Sequence, residues 1–271
     1  MEYAMSTFIL GGVTLNSIRG TIFHELAHSW FQHVLATNES KHSWLDEGFT
    51  TYISTLASNE IIRGEKKVNY SNDYYDYFYA VKYGLEEPLT THADRFNTNA
   101  GFSIGSYTKG SMFLSQLNYI IGEENLQETI KKYYSNFKFK HPTPNDFKRT
   151  AEIVSGLQLD WYLNEWIETT HTIDYAIARV ENNNILVARV GQMPMPIDIK
   201  VLYTDGSAEN FNIPLRMMHG HKPTNSTVLK DWEWAYPTYT FSVSQKIKTV
   251  EIDPSGLMAD VDRSNNLFVN E

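Results

Sequence analysis

The hydrophobic pattern of this chain changes period once. From Asn16 to about Ala36 the apolar residues Ile18, Ile22, Leu26 and Trp30, with Phe23 and Phe31 to one side, recur every three or four positions. That is helical spacing, and it predicts a helix. Ser43 then precedes WLDEGFTTYISTLASNEIIR, with Asp46 and Glu47 in the first turn, where a helix N-terminus favours negative charge. Further helices are expected at about 72–84, 105–121, 123–136, 144–155 and 159–168, the fourth opened by Thr143 followed by Pro144. Ahead of these, EYAMSTFIL reads as a strand, stopped by Gly11 and Gly12.

After Thr172 the period drops to two. YAIARVE, NILVARV, IDIKVLY, ENFNIPL, TYTFSV and KTVEID alternate and are separated by turn clusters such as Asn182-Asn183-Asn184 and TDGS. This texture predicts an antiparallel β-sandwich. The expected organisation is a multidomain α and β chain, with a mainly helical unit over residues 1–172 and a β-sandwich over 173–271. No internal repeat links the halves.

Composition removes several classes of function. The formal net charge is -9 and the 23 lysines and arginines are scattered, so no basic footprint for nucleic acid is visible. The chain has no cysteine, which excludes disulfides, thiolate nucleophiles and cysteine-based metal sites. Any metal must be held by nitrogen and oxygen. No run of eighteen apolar residues occurs, and the opening residues lack the pattern of a secretory leader. Nothing here selects between a cytoplasmic and a cell-envelope or periplasmic location. Of the 17 tyrosines, many fall in NYSNDYYDYFYAVKY (69–83), which is read as an aromatic helix packing a cleft wall.

The stretch TIFHELAHSW carries the chemistry. On a helix, His24 and His28 lie about 40° apart around the axis, so both imidazoles leave one face and can close on one ion. Glu25 projects beside them, within reach of a metal-bound water. Three specified positions also occur on solvated helices by chance, but the otherwise apolar helix would make unpaired imidazoles costly. Catalytic zinc commonly takes three protein ligands and keeps one position open, and Glu47 supplies the third after 18 intervening residues. A different His-rich arrangement, the metzincin, would need Gly at 31 and His at 34, where Phe31 and Val34 stand. The remaining histidines, His33, His42, His92, His141, His171, His219 and His221, are taken as surface or loop residues. Asp46 is a candidate to orient a ligand histidine, or a helix-dipole residue.

HELAHSWF followed by Glu47 in WLDEGFTTY closely resembles the M1 aminopeptidases, the family that includes aminopeptidase N and leukotriene A4 hydrolase. Thermolysin-type enzymes look similar but space that glutamate one residue further on. Two more segments are similar. Met1-Glu2-Tyr3 resembles the end of the family's G-x-M-E-N motif, with the glycine absent and Tyr3 in place of asparagine; the resemblance implies that Glu2 binds the substrate's free α-amine. SYTKGSMFLSQL resembles the family's Tyr-x-x-Gly segment and implies that Tyr107 is the catalytic tyrosine. LDWYLNEWIETT also resembles the family, whose thermolysin-like catalytic domain is followed by a β-sandwich.

The resemblance implies a zinc-dependent aminopeptidase acting on peptides with a free N-terminus, with one zinc ion on His24, His28 and Glu47, and Glu25 as general base. The strand from Tyr3 to Ile9 would add main-chain bonds to an extended peptide. Family members carry a large N-terminal β domain ahead of the exopeptidase motif, so the resemblance also implies a fragment. The alternatives are an epoxide hydrolase of the leukotriene A4 hydrolase type, and a zinc- or peptide-binding fragment without turnover.

Overall fold

The computed structural model describes residues 2–3, 6–63 and 71–270. A hairpin of two very short strands, β1 (Glu2–Tyr3) and β2 (Ser6–Thr7), opens the chain, pairing Glu2 with Thr7 and Tyr3 with Ser6. The continuous strand expected to Ile9 is therefore absent. Ala4 and Met5 of that expected strand lie outside the described residues; β1 and β2 run antiparallel, and Phe8, Ile9 and Leu10 lie exposed outside any strand, so no long edge is offered to a peptide there.

Eight α-helices follow among the described residues: α1 (Leu15–His28), α2 (Phe49–Ser58), α3 (Ser71–Tyr83), α4 (Asn99–Ser103), α5 (Gly110–Ile121), α6 (Glu123–Phe137), α7 (Pro144–Ser155) and α8 (Asp160–Glu168). Local chemistry sets their ends. Thr14 caps α1 by accepting from the Ser17 amide, and α7 opens on a reciprocal cap between Thr143 and Asp146 with Pro144 in its first turn. α5 is buried on nearly every side, and its buried polar residues Ser111, Ser115 and Gln116 are hydrogen-bonded, as burial requires. None of the helices among the described residues is long and apolar enough to cross a membrane.

α1 does not bury the stripe that its periodicity suggests. Ile22, Leu26 and Trp30 are 42%, 54% and 45% exposed, whereas Ala27, His28, Phe31 and Leu35 face the interior. The buried face is the one that carries both histidines. Its continuation, Ser29–Val34, widens into a π turn before Ala36 ends the segment at φ 55.

The remaining strands are β3 (Tyr175–Glu181), β4 (Asn184–Arg189), β5 (Ile197–Tyr203), β6 (Ala208–Ile213), β7 (Thr227–Val228), β8 (Thr238–Ser242), β9 (Ile247–Ile252) and β10 (Leu267–Val269). They form a three-stranded sheet, β3-β4-β8, and a five-stranded sheet, β10-β9-β5-β6-β7. All pairings are antiparallel except β6 with β7. Asn182 takes φ 53 in the two-residue turn between β3 and β4, as such a hairpin requires. In β5 the alternate residues Ile197, Ile199, Val201 and Tyr203 are buried, the period-two signature of a half-covered strand. A helical region followed by sheets of mainly antiparallel strands is thus the architecture, with one apolar core running through both.

The two regions are tied together through α5. Gln116, fully buried, donates from Nε2 to the Leu257 carbonyl at 2.9 Å and accepts the Ala259 amide at Oε1, also at 2.9 Å. The Tyr119 hydroxyl accepts from the Asp198 amide at 2.9 Å, and Lys222 joins the Tyr119 carbonyl to the Asp198 carboxylate. The β region therefore braces the helix that begins beside Tyr107.

Two further π turns, Trp44–Gly48 and Ile104–Lys109, lie against each other at the centre of the helical region. Wide turns of this kind concentrate at functional sites. Their backbones meet where Gly48 faces Gly110. A Cβ on Gly110 would stand 2.9 Å from the Gly48 Cα and 3.1 Å from the Trp44 Cβ, and one on Gly48 would stand 2.5 Å from the Gly110 Cα. Nearby, the hydroxyls of Ser43 and Ser106 are 2.7 Å apart and buried.

Replacing Gly110 with alanine gains about 1 kcal/mol of helix propensity. The contact below 3.0 Å involves backbone, which cannot swing aside, so overpacking outweighs that gain. Gly110→Ala is expected to lower the unfolding free energy by about 1–2 kcal/mol in urea denaturation. An unchanged midpoint would show that the two turns can part at no cost.

Candidate metal centre

α1 delivers His24, Glu25 and His28, the turn Trp44–Gly48 delivers Asp46 and Glu47, the turn Ile104–Lys109 delivers Tyr107, and β1 delivers Glu2. Of the residues singled out as ligand, base or substrate contact, all but His28 line one cleft, and His28 is buried directly behind it, its Nε2 3.1 Å from that of His24. The cleft measures about 470 Å³ and is lined by Glu2, His24, Glu25, Glu47 and Tyr107, with Gly20, Thr21 and Ser54 completing the wall.

Three atoms converge. His24 Nε2 lies 3.0 Å from Glu47 Oε2, His28 Nε2 lies 3.2 Å from the same oxygen, and the two Nε2 atoms are 3.1 Å apart. A tetrahedral zinc ion with bonds of about 2.0–2.1 Å spaces its ligand atoms roughly 3.3 Å apart. The triangle is close to that size. Two imidazole nitrogens and one carboxylate oxygen turned toward a common point are also a donor set that zinc takes.

Among the described residues two other groups offer ligand atoms within 4.8 Å of one another, Glu2 with Glu25 and His28, and Glu2 with Asp46 and Glu47. They have one imidazole or none. Zinc favours nitrogen ligands, so the set with both histidines fits best. The same proximities bring the Glu2 carboxylate to the edge of the triangle.

His28 is held from behind. Asp46 Oδ1 lies 2.7 Å from its Nδ1 and Thr50 Oγ1 lies 3.2 Å from the same atom. A proton kept on Nδ1 toward Asp46 leaves the Nε2 lone pair facing the cleft, the arrangement that a carboxylate imposes on a metal-binding histidine. Burial alone would lower the His28 pKa, but Asp46 and Glu47 outweigh it and hold it up at about 10. Burial pushes the Asp46 carboxyl up to about 7 against the pull of His28. For Glu47 the balance is reversed. Burial would raise it, but bonds from His24, His28 and Tyr107 hold it down to about 2.

Tyr107 donates its hydroxyl to Glu47 Oε1 at 2.6 Å, and its ring stacks on His24 with centroids 5.7 Å apart. Burial, then the Glu47 charge, keeps the phenol well above the ordinary tyrosine range. It is a donor at any neutral pH.

Several features of the cleft were not anticipated. Thr21 sits one turn before His24 and Ser54 two turns after Glu47, spacings that could have flagged both as lining residues. Their hydroxyls donate back to the Ser17 and Thr51 carbonyls, leaving only acceptor capacity for a ligand. The Gly48 to Gly110 contact was signalled by glycines inside helical patterns. Of the histidines taken as surface or loop residues, His33 is half-buried in the turn after α1, and His42 lies in a loop but is half-buried, with burial lowering its pKa.

The profile of the Peptidase family M1 domain matches residues 12–166, more than half the chain. The chain is 31% identical to leucine aminopeptidase 2 of Aspergillus clavatus over 150 residues, covering 51% of this chain and 23% of that protein. It is 25% identical over 195 residues to the mitochondrial aminopeptidase 2 of Saccharomyces cerevisiae, covering 69% of this chain and 20% of that one. The chain thus spans about a quarter or less of the length of the curated relatives it matches. Among solved structures, Legionella pneumophila aminopeptidase A in complex with aspartic acid is similar in fold, with a TM-score of 0.54 at 14% identity, over 89% of this chain and 26% of that one. With the matched residues spanning the helices that build the cleft, the chain belongs to peptidase family M1.

Proposed function

We propose that this chain is the catalytic part of a zinc-dependent aminopeptidase, which removes N-terminal residues from peptides. The observation that carries the reading is the convergence of His24 Nε2, His28 Nε2 and Glu47 Oε2 within 3.0–3.2 Å of one another, with His24 and Glu47 on the wall of an open cleft and His28 buried behind them. Membership of the M1 family, whose enzymes are zinc metallopeptidases, supports the same metal. In this reading residues 1–172 form the catalytic unit and 173–271 a sandwich that braces α5.

His24, His28 and Glu47 would hold the ion, which when bound polarises the scissile carbonyl and brings the pKa of water from about 15.7 toward about 7. The chain's own residues supply the rest. Glu25, one residue after the first ligand, takes a proton from the attacking water at its carboxylate and passes it to the leaving nitrogen as the C–N bond breaks. Tyr107 turns its O–H from Glu47 to the oxyanion that develops on the carbonyl oxygen. Glu2 accepts the substrate's α-ammonium, which places the first peptide bond, and no later one, at the ion. Asp46 keeps the His28 ring in the tautomer and orientation that a ligand needs.

Glu25→Gln preserves shape and removes the base. In an aminoacyl-arylamide assay of zinc-replete protein it is expected to lower kcat on the order of 100- to 10,000-fold with zinc content unchanged. Retention of full activity would remove Glu25 from the mechanism. Tyr107→Phe deletes only the donor. It is expected to lower kcat by about 100- to 1,000-fold while KM changes far less. A loss confined to KM would make Tyr107 a substrate contact and not an oxyanion donor.

A further inference from the structure

Lys109 is 2% exposed, an unusual setting for an ammonium. It lies two residues after Tyr107 on the same turn, so the two side chains leave opposite sides of the backbone. Tyr107 points into the cleft and Lys109 points away from it. The Lys109 Nζ lies 3.1 Å from Glu86 Oε1, donates to the Thr169 carbonyl at 3.0 Å and stands 5.9 Å from the centre of the Trp166 ring. The Trp166 indole N–H donates in turn to the Lys109 carbonyl at 3.0 Å. One residue thus ties the back of the turn to the connection after α3 and to the end of α8.

An ion pair this deep is a poor source of stability. Desolvation of both groups offsets their attraction, and a well-packed apolar pair of the same volume often does as well or better. What an apolar pair does not supply is direction. The fork from Nζ to Glu86 and Thr169 fixes where the turn can sit, while Gly110 against Gly48 and Ser106 against Ser43 limit its approach to Glu47. The Tyr107 hydroxyl, 2.6 Å from Glu47, is at the free end of that clamp.

We propose that Lys109, through Glu86 and Thr169, is a positioning residue for the hydrolysis, holding the turn that carries Tyr107 so that the phenol O–H stays aimed at the site of oxyanion formation. The proposal rests on the zinc aminopeptidase reading for its rate effects, but its structural part stands apart from that reading. Lys109 touches neither ligand nor cleft. Its effect passes through Tyr107 alone, and that makes it separable from a general contribution to folding.

The test uses the full chain with Lys109→Met and Glu86→Gln, each made alone and in the Tyr107→Phe background. Lys109→Met leaves a buried carboxylate without its partner and can fail to fold; Glu86→Gln keeps the volume and an acceptor, and then decides. Each variant is expected to lower kcat by about tenfold or more with KM and zinc content unchanged, and to change kcat by less than about twofold once Tyr107 is already phenylalanine. An equal loss with and without the Tyr107 hydroxyl would make the pair merely structural, and an unchanged kcat in folded Glu86→Gln would overturn the proposal. A second readout needs no activity: 3-fluorotyrosine at position 107 is expected to give one sharp ¹⁹F resonance in the parent chain and a shifted or broadened one in Glu86→Gln. A parent chain without arylamide activity would sink the aminopeptidase reading, whereas identical ¹⁹F spectra would sink the positioning role.

Discussion

Two imidazole nitrogens and a carboxylate oxygen cannot be crowded into a triangle of 3.0–3.2 Å without something to compensate them. Asp46 and Glu47 raise the His28 pKa, and Tyr107 donates to the other oxygen of Glu47. A divalent cation would satisfy the same crowded lone pairs, and because its ligands must give up protons to bind it, its binding would depend on pH. The rest of the helical region serves to hold these groups in place against their mutual cost.

Three wide turns meet that demand. Ser29–Val34 follows the second histidine, Trp44–Gly48 carries Glu47, and Ile104–Lys109 carries Tyr107. The latter two touch through glycines, so the distance between the candidate ligand and the candidate oxyanion donor is set by backbone contact, which is stiffer than contact between side chains. α5 transmits support from behind. Its Gln116 and Tyr119 bond to the β region, and the sandwich is thereby part of the frame of the cleft.

Much of this was legible in the residues, for identifiable reasons. Spacing of four put His24 and His28 on one face, and the Thr143, Pro144 and Asp146 trio marked the start of α7, because capping and helical period are local. The period-two texture marked the sheets for the same reason. Which face of α1 is buried was not legible. Periodicity says that Ile22, Leu26 and Trp30 share a side, but only packing decides that this side lies open while His28, Phe31 and Leu35 go inward. Where one strand was expected from Tyr3 to Ile9, Glu2–Tyr3 and Ser6–Thr7 pair antiparallel, a pairing that no glycine or proline between them announces. The burial of Lys109 was not legible either; its partners, Glu86 and Thr169, are 23 and 60 positions away, and no local pattern connects them.

The account stands on the triangle being a metal site. Zinc per chain, measured by mass spectrometry after loading and exhaustive dialysis, tests it most directly when the parent chain is run beside Glu47→Ala. The account predicts about one tightly held zinc in the parent and its loss in the variant, since three protein ligands define the site. No retained zinc in the parent, or equal zinc in both, would contradict it.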